Sequence, residues 1–368
     1  MTLSRTSTSL LKGLGILLII LHNYTHWLPL CVAENEYTFA VRNINQLVQY
    51  LGQGGPHVLL NLFSHFGHYG VAIFLFVSGY GLVKKYEDSP AQGMPTARKE
   101  NILLFLWRHA VKLWRLMIPA LLLFVVIEMT LGEWNRPLSR LLPLLGFYSN
   151  LQPHRDLILG PWWWFGLMMQ FYILWRLIIY RRGKAVLYTM IIACLTIQIA
   201  AAWLESGRLA HHGTVSEYLH YNFLPSMLAF GLGVAHARYG LAWLRQWWSP
   251  LVGLALIVVG SFNAGIWCLS SAGAVMVALA FVDCKPEADA NGVHYIGFST
   301  LLVFFGKISA WLFALHPIVR AFAIRLVRKS SDASVYLSVG VYLAVCIAAA
   351  CLFTFVFDKI SISWHNKK

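Results

Sequence analysis

The sequence predicts an all-α fold, a polytopic integral membrane helical bundle of about ten transmembrane helices. Three observations carry that expectation. Long apolar runs recur from end to end, and a run of about 20 mainly apolar residues crosses a bilayer as a helix. The chain of 368 residues is 58% hydrophobic and only 12% charged, whereas a soluble chain carries about 25% charge. Its Lys and Arg fall in clusters between the apolar runs, as cytoplasmic loops do, and its 15 Trp and 16 Tyr suit interfacial anchors.

The first span is read at residues 10–28, LLKGLGILLIILHNYTHWL. A polar segment with Glu34, Glu36 and Arg42 follows, with room for a short surface helix and a turn at Gly52–Pro56. The second span, residues 69–83, stops at Lys84 and Lys85, and a charged linker leads to Arg98 and Lys99. A basic helix over 103–115 runs into a third span at 116–131, and a Pro- and Gly-bearing connection follows from Glu133 to Pro161.

The fourth span, 162–180, ends at Arg181 and Arg182; the fifth covers 185–204, and a polar stretch runs from Glu205 to His220. The sixth span covers 221–237. Residues 250–283 are too long for one span and carry breaks at Asn263 and Gly265, so they read as two short ones. The ninth, 300–324, is interrupted by Pro317, and the tenth covers 335–357. No internal repeat or separate soluble domain is visible, so residues 1–368 read as a single domain.

In this count Lys12, Lys84, Lys85, Arg98, Lys99, Arg181, Arg182, Lys184, Arg238 and Arg245 share one side, assigned as cytoplasmic together with both termini. Glu34, Glu36, Glu133, Glu205 and Glu217 fall on the other, while Arg325, Arg328 and Lys329 break the pattern. The net charge of +14 sits in these clusters. That distribution argues against nucleic acid and for an anionic ligand or anionic membrane lipid. The six cysteines, at 31, 194, 268, 284, 346 and 351, have neither metal-ribbon nor disulfide-framework spacing. Arg5 and Lys12 ahead of an apolar run, then Cys31-Val32-Ala33, have the look of a cleavable leader, but His22, Asn23 and His26 interrupt the run. An uncleaved first helix is the better reading.

Ionisable groups inside a span are costly and point to function. Lys12 lies ten residues before His22, a rise of about 15 Å, so Lys12 at one surface places His22 near mid-membrane. A buried imidazole suits a general base that activates a hydroxyl for attack on an acyl group. The plainer alternative is a hydrogen bond between helices. His22 and His26 also stand at i and i+4, a spacing that suits a metal, but no third ligand accompanies them, and no metal is expected.

Arg108, Lys112 and Arg115 share one helix face at the cytoplasmic entrance of the third span, fit for a phosphate-bearing ligand or for lipid head groups. His316, beside Pro317, is a second histidine inside a span, either packed or facing the same cavity as His22. The Trp162-Trp163-Trp164 run reads as an aromatic belt, with Trp163 and the deeper Gln170 as candidate ligand contacts; Glu128 is a further polar oddity.

These segments together resemble the membrane-bound acyltransferase-3 family. LKGLGILLIILHNYTH resembles its first helix, a basic residue and Gly followed by an apolar run and His. GVAIFLFVSGYGLVKKY is similar to its second-helix signature, and WRHAVKLWRLMIPALL to its arginine pair followed by an apolar residue and Pro. PWWWFGLMMQFYIL, MLAFGLGVAHAR and FFGKISAWLFALHPIV match later segments, in family order.

The resemblance implies a single transmembrane acyltransferase domain that moves an acyl group, often acetyl, from cytoplasmic acyl-CoA to a sugar, lipid or other acceptor. It implies a catalytic role for His22 and His316, and binding of the acyl-CoA phosphates by Arg108 and Arg115, with Lys12 and Lys112 beside them. Asn23, His26, Trp163 and Gln170 are the expected substrate contacts. Here the first-helix basic residue is Lys12 rather than Arg, with nine rather than ten residues between it and His22. The extra extracytoplasmic esterase-like domain of some members is not seen. The expectation is an integral membrane O-acyltransferase of a bacterial inner membrane, using acyl-CoA (acetyl-CoA) as co-substrate. Its acceptor is expected to be a glycan or glycolipid. The alternative is a transporter or exporter of a small polar solute, which intramembrane His and Gln also fit.

Overall fold

The computed structural model describes residues 2–29, 31–36, 38–55, 57–87, 101–152, 157–205, 215–283, 297–327 and 335–365. Expectations placed on Arg98, Lys99, Cys284, Arg328 and Lys329, and on the side chains of Glu217 and Arg325, lie outside what is described. The described residues are all-helical, with no strand among them.

In chain order the helices are α1 (Arg5–Thr25), α2 (Val41–Gln53), α3 (Val58–Phe66), α4 (Gly70–Tyr86), α5 (Ile102–Thr130), α6 (Leu142–Leu145) and α7 (Trp163–Leu174). They continue with α8 (Lys184–Glu205), α9 (Val215–His220), α10 (Phe223–Tyr239), α11 (Ser249–Gly260), α12 (Ala264–Trp267), α13 (Ser270–Asp283), α14 (Phe298–Val327) and α15 (Val335–His365).

Among the described residues six stretches are long and apolar enough to cross a membrane: Arg5–Thr25, Val58–Tyr86, Ile102–Thr130, Lys184–Glu205, Phe298–Ile324 and Val335–Phe357. The expected number of about ten is therefore not confirmed. The four remaining predicted spans coincide with shorter elements. These are α7 with its five-residue π-helical extension Trp175–Ile179, the 17-residue α10, the 12-residue α11 and the 14-residue α13. Helices of 12–17 residues rise only about 18–25 Å, short of a hydrocarbon core of about 30 Å.

Other boundaries follow local chemistry. The basic helix and the third span form one uninterrupted helix, α5, which takes Pro119 in its stride. The break expected near residue 263 is present, because the Asn263 side chain caps α12 by accepting from the Gly265 and Ile266 amides, both at 3.0 Å.

The interruption expected at Pro317 does not occur, since α14 runs through it. Proline removes the donor that the Phe313 carbonyl would have used. The His316 ring is hydrogen-bonded through Nδ1 to the Leu312 carbonyl, one residue earlier, at 3.0 Å.

The first helix is held in the bundle mainly by α14. In a membrane, helices associate through close backbone packing at small residues, because lipid is as apolar as a leucine. A Cβ on Gly13 would collide with the Leu302 carbonyl oxygen, and one on Gly306 with the Ser9 carbonyl oxygen. The α1–α14 crossing is therefore closed at two glycines, and it brings the His22 and His316 levels of the two helices together. At one end of the bundle, Arg238 of α10 grips Glu87 through two contacts, Nε–Oε2 at 2.7 Å and Nη2–Oε1 at 2.6 Å. The same guanidinium donates to the carbonyls of Ile179 and Arg182.

Candidate functional site

His22 is 1% exposed, on the inner face of α1. Its Nδ1 lies 2.9 Å from the Ser64 carbonyl oxygen of α3 and its Nε2 lies 3.2 Å from Glu36 Oε2. A nitrogen facing a carbonyl must carry the proton. Nδ1–H therefore donates to Ser64, and the proton that can come and go is the one on Nε2. α3 reaches His22 because Gly67, just past its end, lies against the helix; a Cβ there would sit 2.7 Å from His22 Cβ and 2.7 Å from the Leu18 carbonyl oxygen.

Glu36 arrives by a different route. The segment after α1 is stitched onto α3. The Val32 amide donates to Asn61 Oδ1 at 2.9 Å, Ser64 Oγ to the Val32 carbonyl at 2.5 Å, and His65 Nδ1 to the Ala33 carbonyl at 3.3 Å. Asn43 of α2 donates to the Glu34 carbonyl at 2.8 Å and to Asn35 Oδ1 at 2.9 Å. The polar segment is thereby folded back over the bundle, with Glu36 buried.

Burial alone would push the Glu36 carboxyl up. The hydrogen bond and charge of His22, with His220 and His68 behind them, outweigh burial and hold it below the usual carboxylate range. Glu34 goes the other way. Burial, with the charge of Glu36 adding and that of His22 opposing, raises it to about 7. Burial lowers His220, whose Nε2 stands 4.0 Å from Glu36 Oε1. Two carboxyls two residues apart are thus held in different protonation states at neutral pH, Glu36 charged and Glu34 close to half protonated.

Further histidines surround the pair. The His26 and His68 rings are centred 4.8 Å and 5.6 Å from that of His22. Trp163 packs edge-on to His220 at 5.8 Å. His316 is fully buried; its Nε2 has no hydrogen-bond partner among the described residues, and it senses the charges of Arg320 and His22. Arg320 donates from Nη1 to Asn23 Oδ1 at 3.1 Å, so Asn23 faces α14. Beside Glu36 opens a cavity of about 70 Å³, room for about five waters. It is lined in part by Asn35, His68, Gln198 and Ser271, each with a buried polar atom lacking a hydrogen-bond partner among the described residues.

The family model for an acyltransferase domain, acyltransferase-3, matches residues 6–357. The chain belongs to the acyltransferase-3 family. Comparison with curated proteins gives no match, and comparison with solved structures gives none.

In this acyltransferase-3 membrane protein the predicted residues divide into three groups. His22, His26, Asn23, His316 and Trp163 lie in or against the cluster just described. Lys12 of α1, Lys112 of α5 and Lys85 of α4 form a second group, close enough that Lys112 senses the other two charges. Arg108 and Arg115 lie on the exposed face of α5, the face that also carries Lys112. Gln170 stands apart. Its amide is engaged at both ends, donating to Asn222 Oδ1 at 2.8 Å and accepting from the Phe223 amide at 3.1 Å, which ties α7 to the start of α10.

Glu34, Glu36, Ser64, Gly67, His68, His220 and Arg320 were not singled out from sequence as site residues. Glu34 and Glu36 read there only as markers of the outer face. The hint available was the pair of carboxylates placed soon after a span that ends in two histidines.

Proposed function

We propose that the chain is an integral membrane O-acyltransferase that moves an acyl group, most simply acetyl, from cytoplasmic acyl-CoA to a hydroxyl of a cell-surface glycan or its lipid-linked precursor. The observation that carries this reading is the buried His22–Glu36 pair, at 3.2 Å, whose Glu36 borders a small cavity with unsatisfied polar atoms. Such a cavity suits hydroxyls, each of which donates and accepts.

His22 Nε2 takes the proton of the acceptor hydroxyl as its oxygen attacks the thioester carbonyl carbon. The carbon–sulfur bond then breaks, and the departing CoA thiolate receives the proton to leave as thiol. The Ser64 carbonyl holds the imidazole in the tautomer that leaves Nε2 available, and Glu36 stabilises the imidazolium that forms. On the other side of the bundle Lys12, Lys112, Arg108 and Arg115 are placed to meet the phosphates of acyl-CoA. In this reading both termini lie in the cytoplasm of a bacterial inner membrane, and the shorter helices complete a set of about ten spans.

The test uses membranes with and without the chain, given acetyl-CoA labelled in the acyl group. Label entering glycan or lipid fractions only when the chain is present supports the reading. Solute flux through reconstituted vesicles without any acyl transfer overturns it.

A further inference from the structure

We propose that His22, His26 and Glu34 form a binding site for a divalent transition metal of the Zn²⁺ type, and that its occupancy switches off transfer; the second half rests on the reading of His22 as proton acceptor. One ring nitrogen of each histidine and one carboxylate oxygen of Glu34 lie within 4.8 Å of one another. His22 and His26 stand one helical turn apart, the spacing at which two imidazoles reach one ion.

Both rings are already oriented as metal-bound imidazoles are. His22 Nδ1 is engaged by the Ser64 carbonyl at 2.9 Å and His26 Nδ1 by the His22 carbonyl at 2.7 Å. A histidine that donates through one nitrogen to a backbone carbonyl presents the other to a metal with its tautomer fixed. The atoms left for an ion are therefore the two Nε2, that of His22 exchanging its contact with Glu36 Oε2 for the metal. The third ligand is held by its own backbone, since Asn43 donates to the Glu34 carbonyl. Imidazole and carboxylate together suit Zn²⁺.

Metal–ligand bonds of about 2.1 Å in a tetrahedron put ligand atoms roughly 3.4 Å apart. Closing on an ion from a spacing of up to 4.8 Å requires a contraction of about 1.4 Å at most, within reach of side-chain rotation. Glu36 or a water supplies the fourth position. Binding takes up the lone pair that the Nδ1–H tautomer leaves on His22 Nε2, and displaces the proton wherever the imidazolium carries one there. The lone pair is then no longer available to an acceptor hydroxyl.

The test titrates ZnCl₂ into the full chain, purified in detergent, stripped with a chelator and freed of it. Expected is one tight Zn²⁺ per chain, with affinity falling at least tenfold in His26→Gln and in Glu34→Gln and unchanged in His57→Gln. Co²⁺ in place of Zn²⁺ reports the geometry through the strong visible bands of a tetrahedral site. Thermal unfolding of each variant shows that it is folded; should one fail to fold, the other and the Co²⁺ spectrum of the native chain decide.

Unchanged affinity in the folded variants, or a native Co²⁺ spectrum without tetrahedral bands, overturns the site. Zn²⁺ bound there with acyl transfer undiminished overturns the switch. A native chain that binds Zn²⁺ as expected yet transfers no acyl group sustains the site and counts against the acyltransferase reading instead.

Discussion

His22 Nε2 and Glu36 Oε2 stand 3.2 Å apart although fourteen positions separate them in sequence, one side chain on a membrane helix and the other on the connection that leaves it. The connection would be free to move if α3 did not hold it through Asn61, Ser64 and His65. The pair is therefore a product of tertiary packing. Removing the charge while keeping the shape isolates its contribution. Glu36→Gln is expected to lower the rate of acyl transfer about 10²- to 10⁴-fold, the usual worth of a positioned acid–base partner, with the KM for acyl-CoA unchanged. Steady-state kinetics on membranes of matched protein content checks this.

Gly67 sets how close α3 comes to His22. A methyl group there meets His22 Cβ and the Leu18 carbonyl at 2.7 Å, and neither helix backbone can yield without separating. Gly67→Ala is expected to shift the Ser64 carbonyl off Nδ1 and to lower transfer about 100-fold, as misplacement by roughly 1 Å does. Activity together with thermal unfolding separates a displaced site from a lost fold.

Glu34 gives a pH dependence of stability whose sign is fixed. Its carboxyl is raised from 4.5 to about 7, so between those values the folded chain keeps a proton that the unfolded chain has lost. Stability therefore falls as pH rises from 4.5 to about 7, and the loss is complete above that. Glu34 is half-buried and partly screened by solvent. Glu34→Gln is expected to gain about 1–2 kcal/mol over the native chain at about pH 8 and nothing at about pH 4. Thermal unfolding with a chelator present reads the difference.

The Glu87–Arg238 grip makes a structural prediction away from the site. The two side chains are 12% and 8% exposed, so the guanidinium that Glu87→Gln leaves behind loses its charged partner in a poorly solvated place. The expected cost is about 2 kcal/mol, seen as a lower unfolding midpoint with KM values unchanged in the folded enzyme.

What the sequence made legible was local. His22 stood out because an imidazole in an apolar run is costly, and Asn263 because a polar side chain breaks an apolar stretch. The histidine at 22, the basic face of α5 and the break between α11 and α12 all follow from patterns within a few turns. Pro317 misled, because the same local rule predicts a break where α14 instead runs through, with the neighbouring His316 ring hydrogen-bonded to the Leu312 carbonyl. Glu36 was invisible as a partner, since nothing in residues 29–40 shows that Ser64 and Asn61 will draw the segment inward. Gln170 looked like a ligand contact because a buried amide needs partners; those partners, Asn222 and the Phe223 amide, lie more than fifty residues further on.

His22 is expected to carry the proton of the acceptor hydroxyl. The direct measurement is transfer of label from acetyl-CoA into glycan and lipid fractions by membranes holding equal amounts of the native chain and of His22→Ala. Label transfer is expected to depend on the native chain and to fall to background in His22→Ala, with the variant still folded in the membrane. Transfer by His22→Ala at the native rate would contradict it and leave His22 a packing residue.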